Sequence, residues 1–166
     1  MNHKYRTLIK WCLYSLLFLL VMMIETVVLG NRTILGAKLS LAPVAVACVA
    51  CREGHESGGV FALAASLVWC LSGAAGGTLV LLVLPPAAII CGYFCSTYLT
   101  RGILPCLAGC LLALAATDGG AYLQRLYLGG AMPADAPRRL GLQICFSLAL
   151  CPVFWLVARG VGKVGA

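Results

Sequence analysis

The sequence has few charged residues and very few acids. Of 166 residues, 10% are charged, with five Asp and Glu against 12 Lys and Arg, and there are two histidines. A soluble domain usually carries about 25% charged residues, so this chain cannot cover a water-soluble globule. Its bases are scattered through short connections rather than gathered on a basic helix or groove. These absences exclude a soluble domain, a nucleic-acid-binding protein, and an enzyme built on clustered His, Asp or Glu.

Long apolar runs take the place of charge. Hydrophobic residues make up 62% of the chain, and its mean hydropathy is +1.00. A hydrocarbon core of about 30 Å is crossed by about 20 helical residues. We therefore predict an all-α integral membrane protein in which residues 1–166 form a single compact bundle. Six transmembrane helices are predicted, at about 8–29, 34–51, 58–72, 78–99, 103–124 and 140–158.

Two of these spans leave alternatives open. The third is short, so it is either a crossing or a tilted or re-entrant helix, which would give five crossings plus a half-helix. The fifth is interrupted by Asp118, Gly119 and Gly120. It either stops near Thr117 or continues through the polar segment that follows. Residues 129–139 are the one connection with clear extramembrane character.

The N-terminal flank predicts the orientation. Lys4, Arg6 and Lys10 precede the first span without an acid among them. The apolar run after them is too long for a signal-peptide core, so it should stay as an anchor. By the positive-inside rule, an even number of spans places both termini in the cytoplasm.

Small residues indicate where helices pack. The chain has 19 glycines, and Gly58 and Gly59 open the third span. In a bilayer, helices associate where small side chains let their backbones approach. We therefore expect the third span to be the central helix of the bundle.

Cysteine is abundant, with ten residues. Cys48 and Cys51 form a C-x-x-C motif followed by His55, but a structural zinc site needs four ligands, and no second pair at metal spacing lies nearby in sequence. Two further pairs, at 91/95 and 106/110, each fall on one helical face. We interpret the cysteines as small apolar fillers within the bilayer and predict no metal or other cofactor.

The few polar residues in or beside the spans have structural interpretations. Glu25 and Asp118 each approach the outer interface, where they either anchor the helix or contact another helix or a partner. Beside His55, Arg52 and Glu56 are spaced to pair at a helix end, which we favour over general-base catalysis. Tryptophans near the span ends, Trp69 among them, fit an interfacial belt.

Three segments carry a resemblance to a known family. They are LGAKLSLAPVAVACVACREG (35–54), GGVFALAASLVWCLSG (58–73) and GTLVLLVLPPAAIICGYFCSTYLTR (77–101). Their Gly, Phe, Trp and Gly-Tyr positions make the chain resemble the MreD family of the bacterial rod-shape machinery. One position departs from the family pattern, because Cys70 stands where the family commonly has Asp.

The resemblance implies a non-enzymatic scaffold in the cytoplasmic membrane. Its implied partners are a bitopic MreC-like protein, the elongation transpeptidase and glycosyltransferase and, indirectly, the filament protein MreB. Helix-packing or partner contacts are expected at Arg52, Glu53, Glu56, Gly58, Gly59, Trp69 and Asp118. The alternative is the substrate-binding subunit of an energy-coupling-factor vitamin transporter, although the bulky first span lacks the small-residue docking face of those subunits.

Overall fold

The computed structural model describes residues 3–28, 39–73, 78–97, 102–128 and 136–164, and these ranges contain helices and no strand. The helices are α1 (His3–Met23), α2 (Ala42–Glu53), α3 (His55–Leu71), α4 (Leu79–Thr97), α5 (Ile103–Tyr127), α6 (Ala136–Ala149) and α7 (Cys151–Val164). A π-helical turn, Ile24–Val28, continues α1.

Within the described residues, four helical segments are long and apolar enough to cross a membrane. They are Tyr5–Val27, Leu79–Thr97, Ile103–Tyr127 and Ala136–Gly162. The last of them combines α6 and α7. These four correspond to the first, fourth, fifth and sixth predicted spans, so the prediction of a helical membrane protein is supported at this level.

The remaining two predicted spans are shorter than a full crossing. Helix α3 has 17 residues, as the short third span led us to expect. Helix α2 has 12 residues, or about 18 Å at 1.5 Å per residue, because it begins at Ala42 rather than near residue 34. The fifth span continues through Asp118 to Tyr127. Of the predicted loop 129–139, residues 129–135 lie outside the described part of the chain. Residues 136–139 belong to α6.

The short helix α2 is the centre of the bundle. Each of its residues from Ala42 to Cys51 is buried, and it contacts α1, α3, α4, α5 and α7. The prediction that the third span is central is therefore wrong, since α3 exposes Val60, Leu63 and Leu71 along one face. The physical reason is side-chain size. Helix α2 consists mainly of Ala, Val and Cys, which let neighbours approach from every side.

A tight turn joins α2 to α3. Gly54, between them, has a φ of 97°, a left-handed conformation that side chains disfavour. A Cβ at Gly58 would lie 2.6 Å from the Ala50 Cα, and one at Gly92 of α4 would lie 2.8 Å from the His55 Cα. Both contacts are with backbone, so these glycines fix how closely α3 and α4 pack against α2 and the turn.

Prolines affect α4 and the junction between α6 and α7, which together form one long segment that we call the α6–α7 rod. Pro85 and Pro86 lie inside α4 without ending it; a membrane helix tolerates this where neighbouring helices surround the freed carbonyls. Pro152 has no amide N–H to continue the α6 hydrogen-bond pattern. The rod accordingly breaks at Leu150, whose carbonyl accepts hydrogen bonds from the N–H groups of Val153 and Phe154 at 3.1 and 3.3 Å. This break separates α7 from α6.

Candidate functional site

An ion pair holds the C-terminal end of α2 to α1. Glu53 Oε2 lies 2.6 Å from Lys10 Nζ, and Glu53 Oε1 accepts a hydrogen bond from the Tyr14 hydroxyl at 2.8 Å. Tyr14 is fully buried among apolar side chains. The carboxylate is largely removed from solvent, so its two partners replace water as its hydrogen-bond donors. Glu53, expected as a helix-packing or partner contact, is therefore a helix-packing contact within the chain.

A second carboxylate holds the opposite end of α2. Glu25 Oε2 accepts hydrogen bonds from the N–H groups of Leu41 and Ala42 at 3.2 and 3.0 Å. The first N–H groups of a helix lack intrahelical partners, and the helix dipole favours negative charge there. Glu25 is 2% exposed, so the interhelical contact is the correct interpretation and interface anchoring is wrong. The π-helical turn of α1 carries Glu25 at this position.

Asp118 lies close to the same end of α2. Its carboxylate lies near the side chains of Ser40 and Gln143, while its buried Oδ2 has no hydrogen-bond partner within the described residues. Ser40 also receives support from α6, because its N–H donates to Ser147 Oγ at 3.1 Å. Asp118 is thus an interhelical contact between α5, α6 and the start of α2.

The turn between α2 and α3 does not contain the predicted Arg52–Glu56 pair. Helix α2 ends at Glu53, so Arg52 and Glu56 lie on different helices and lose the spacing that would pair them. Arg52 instead lies against α7, where a Cβ at Gly162 would be 2.8 Å from its Nε. The Glu56 side chain is 91% exposed, 3.9 Å from His55 Nε2, and His55 packs edge-on against Tyr93.

The remaining predicted contact residues lie inside the bundle. Gly58 packs on α2, and a Cβ at Gly59 would lie 2.6 Å from Ile89 Cγ1 of α4. Trp69 is 4% exposed, so its ring is enclosed by neighbouring side chains rather than turned outward. Its Nε1 has no hydrogen-bond partner in the described part of the chain. All three make helix-packing contacts within this chain.

Four cysteines converge beside the middle of α2. Cys48 of α2, Cys106 and Cys110 of α5, and Cys151 of α7 are all buried, and their sulfur atoms lie within 4.8 Å of one another. We call this set the cysteine tetrad. Sγ–Sγ distances are 3.5 Å between residues 48 and 106, 3.7 Å between 48 and 110, and 3.3 Å between 110 and 151. Four thiols in this arrangement are suited to hold a thiophilic metal ion.

The sequence analysis named Cys48, Cys106 and Cys110 but interpreted them as apolar fillers and predicted no metal site. The C-x-x-C motif led to Cys48, but the structure leaves Cys51 and His55 outside the tetrad. The i, i+4 spacing of Cys106 and Cys110 was the usable signal, because it puts two ligands on one helix face. Cys151 carried no local signal, since it reaches the tetrad only through the break between α6 and α7.

The described helices, four of them long and apolar segments, form an all-helical membrane protein built around the short buried helix α2. Comparison with protein families, curated proteins and solved structures finds no match to this chain.

Proposed function

We propose that this protein is a non-enzymatic scaffold of the bacterial cytoplasmic membrane, acting in the rod-shape machinery with both termini in the cytoplasm. The acidic side chains inside the bundle support this proposal. The acids Glu25 and Glu53 both make contacts that hold α2, and Asp118 lies beside its start. A membrane enzyme or transporter would need such groups for substrate, protons or ions.

The outward surface supports a role in helix–helix docking. Along α3, the exposed side chains recur at helical spacing and form one apolar stripe, Val60, Leu63, Leu67 and Leu71. Glu56 lies exposed at one end of this stripe. A single-span partner helix fits such a surface, because packing between apolar side chains is how transmembrane helices associate.

The identity of the partner comes from the resemblance to MreD. We propose that the α3 stripe receives the transmembrane helix of an MreC-like bitopic protein. Through that complex the bundle positions the elongation transpeptidase and glycosyltransferase and connects indirectly to MreB. Glu25 and Glu53 hold the two ends of α2. In this proposal, those contacts fix the packing of the outer helices and so the position of the α3 stripe.

The transporter alternative has less support. A cavity lined by Cys48, Cys106 and Trp155 has a volume of about 10 Å³, close to the minimum for one water molecule. Vitamin-sized ligands need a pocket of several hundred cubic ångströms, roughly 300 or more. This cavity therefore does not fit the ligand of such a transporter.

The experiment is site-specific photocrosslinking in the native membrane, followed by mass spectrometry. A photoreactive residue at Leu63 or Leu67 tests the α3 stripe, and the matched control is the exposed Leu16 of α1. The proposal predicts capture of an MreC-like single-span protein from α3 and much less from Leu16. Capture of ATPase subunits and a coupling protein would instead establish transport. Lipid adducts alone at both α3 positions would contradict the docking surface.

A further inference from the structure

We propose that the cysteine tetrad, Cys48, Cys106, Cys110 and Cys151, is a structural binding site for one Zn²⁺ ion. The four thiolates are the complete ligand set, and the site holds α2, α5 and α7 together inside the bundle. This inference is independent of the scaffold function, since it concerns what stabilises the core.

The sulfur geometry fits a tetrahedral ion. With a Zn–S distance of about 2.3 Å, the ligand sulfurs of a regular tetrahedron are about 3.8 Å apart. The three measured separations are 3.5, 3.7 and 3.3 Å, and all pairs fall within 4.8 Å. Small side-chain adjustments therefore bring all four sulfurs to zinc distance without moving a helix.

The backbone directs these sulfurs to one point from three separate helices. Cys106 and Cys110 are one helical turn apart on α5, and Cys48 faces them from α2. Cys151 is the first residue of α7 and owes its position to the helix break before Pro152. Apolar fillers would spread over the helix interfaces. Three described cysteines, Cys51, Cys91 and Cys95, are buried at helix interfaces outside the tetrad, whereas those at 12 and 145 are exposed and Cys70 is half-buried. What sets the tetrad apart is the convergence of its four sulfurs.

Two helix starts and one arginine lie close to the tetrad. Four thiolates and Zn²⁺ leave a net charge of −2, which a buried site must balance. Cys151 begins α7 and Cys106 lies in the first turn of α5, so two ligands sit at the positive ends of helix dipoles. Arg52 lines the small cavity beside Cys48 and Cys106. The Arg52 guanidinium and the N-terminus of α5 therefore offset part of this negative charge.

The same small cavity adjoins one side of the tetrad. It is lined by Cys48, Cys106 and Arg52, and also by Gly102 and Trp155. Gly102 precedes α5 at the end of the bundle where α2 meets α3. Binding displaces the thiol protons, one from each ligand that starts protonated, and the buffer takes them up.

The first test uses the unaltered full chain in detergent or nanodiscs under reducing conditions. After metal removal, the protein is loaded with Zn²⁺ or Co²⁺, and bound metal is measured by mass spectrometry. The proposal predicts about one ion per folded chain and, for Co²⁺, the intense absorption of a tetrahedral tetrathiolate. A folded chain that takes up neither ion, or that binds Cu⁺ alone, would overturn it.

Paired variants locate the site. The double variant Cys106→Ala/Cys110→Ala removes two ligands. The matched control, Cys91→Ala/Cys95→Ala, removes two buried cysteines with the same spacing on α4. We expect zinc affinity to fall by about tenfold or more in the first and to stay unchanged in the second. Equal loss in both would contradict the assigned ligand set.

A measurement on the unaltered chain covers the case in which the ligand variant does not fold. Bound Zn²⁺ should protect the tetrad from a membrane-permeant maleimide, and a chelator should expose it. Peptides containing residues 48, 106, 110 and 151 are compared with those containing the half-buried Cys70. Labelling of the tetrad that does not respond to the metal would overturn the proposal.

Discussion

Helix α2 and the α6–α7 rod are opposites in length and burial. Helix α2 has 12 residues, and Ala42 through Cys51 are buried without exception. The rod from Ala136 to Gly162 is 27 residues long, yet 11% of its most apolar window is buried. The part best suited to cross a bilayer is therefore peripheral, and the part too short to do so forms the core.

The contrast shows that hydropathy does not distinguish a lipid-facing helix from a central one. Lipid and protein interior are similarly apolar, so helices are sorted by side-chain size and by polar contacts rather than by hydrophobicity. Helix α2 has small side chains along its length and carboxylate contacts at both ends. The α6–α7 rod exposes Val153, Leu156 and Val157 and meets the core through Cys151 and Ala158. Small size together with polar end contacts thus marks the central helix.

The largest expected effect is at the closest approach to α2. Gly58→Ala places a methyl group 2.6 Å from the Ala50 Cα, and backbone cannot yield without shifting the helix. We expect a loss of about 3 kcal/mol in the free energy of unfolding, measured by denaturant titration in detergent. Gly59→Ala is the matched control, because its neighbour is the flexible side chain of Ile89. A loss as large at Gly59 would mean that the α2 interface is not the tighter one.

The next effect concerns the start of α2. Glu25→Ala leaves the buried N–H groups of Leu41 and Ala42 without their acceptor. We expect a destabilisation of about 2 kcal/mol in the same titration. Glu25→Gln retains one side-chain oxygen and should lose less. Equal losses in the two variants would indicate that charge, rather than hydrogen bonding, holds this end.

At the C-terminal end of α2 we expect a smaller loss in the free energy of unfolding, part of which a second substitution should restore. Lys10→Met leaves Glu53 with the Tyr14 hydroxyl but no cation, at an expected loss of about 1.5 kcal/mol, since the pair is partly accessible. Adding Glu53→Gln removes the uncompensated charge and should recover part of that loss. A double variant less stable than Lys10→Met would contradict the assigned pairing.

The smallest effect sharpens the contrast between the two regions. Val46→Ala deletes two methyl groups from the middle of α2 and should destabilise the protein by about 1 kcal/mol or more. Leu156→Ala deletes a larger group from the exposed side of α7 and should change stability by less than about 0.5 kcal/mol. The reverse order, in the same denaturant titration, would place the wrong helix at the centre.

Sequence reasoning recovered the membrane class and the four long apolar segments, because length and hydropathy determine both. It placed the wrong helix at the centre. Gly58 and Gly59 indicate that two helices pack closely, but they do not indicate which of the two is enclosed by the others. Glu25 and Glu53 carried no sign of their partners, which lie 16 and 43 residues away along the chain. The cysteine tetrad depends on tertiary contacts between α2, α5 and α7. The spacing of Cys106 and Cys110 was therefore interpreted as apolar filling, and the cluster was not predicted.

The most direct test of the account is photolabelling from within the bilayer, with a diazirine on a lipid acyl chain, followed by peptide mapping. We predict label on the outward residues of α3 and α7, such as Leu63 and Leu156, and none between Ala42 and Cys51. Label within 42–51 at the level found on α7 would show that α2 faces lipid, and the account of a central, enclosed helix would be wrong.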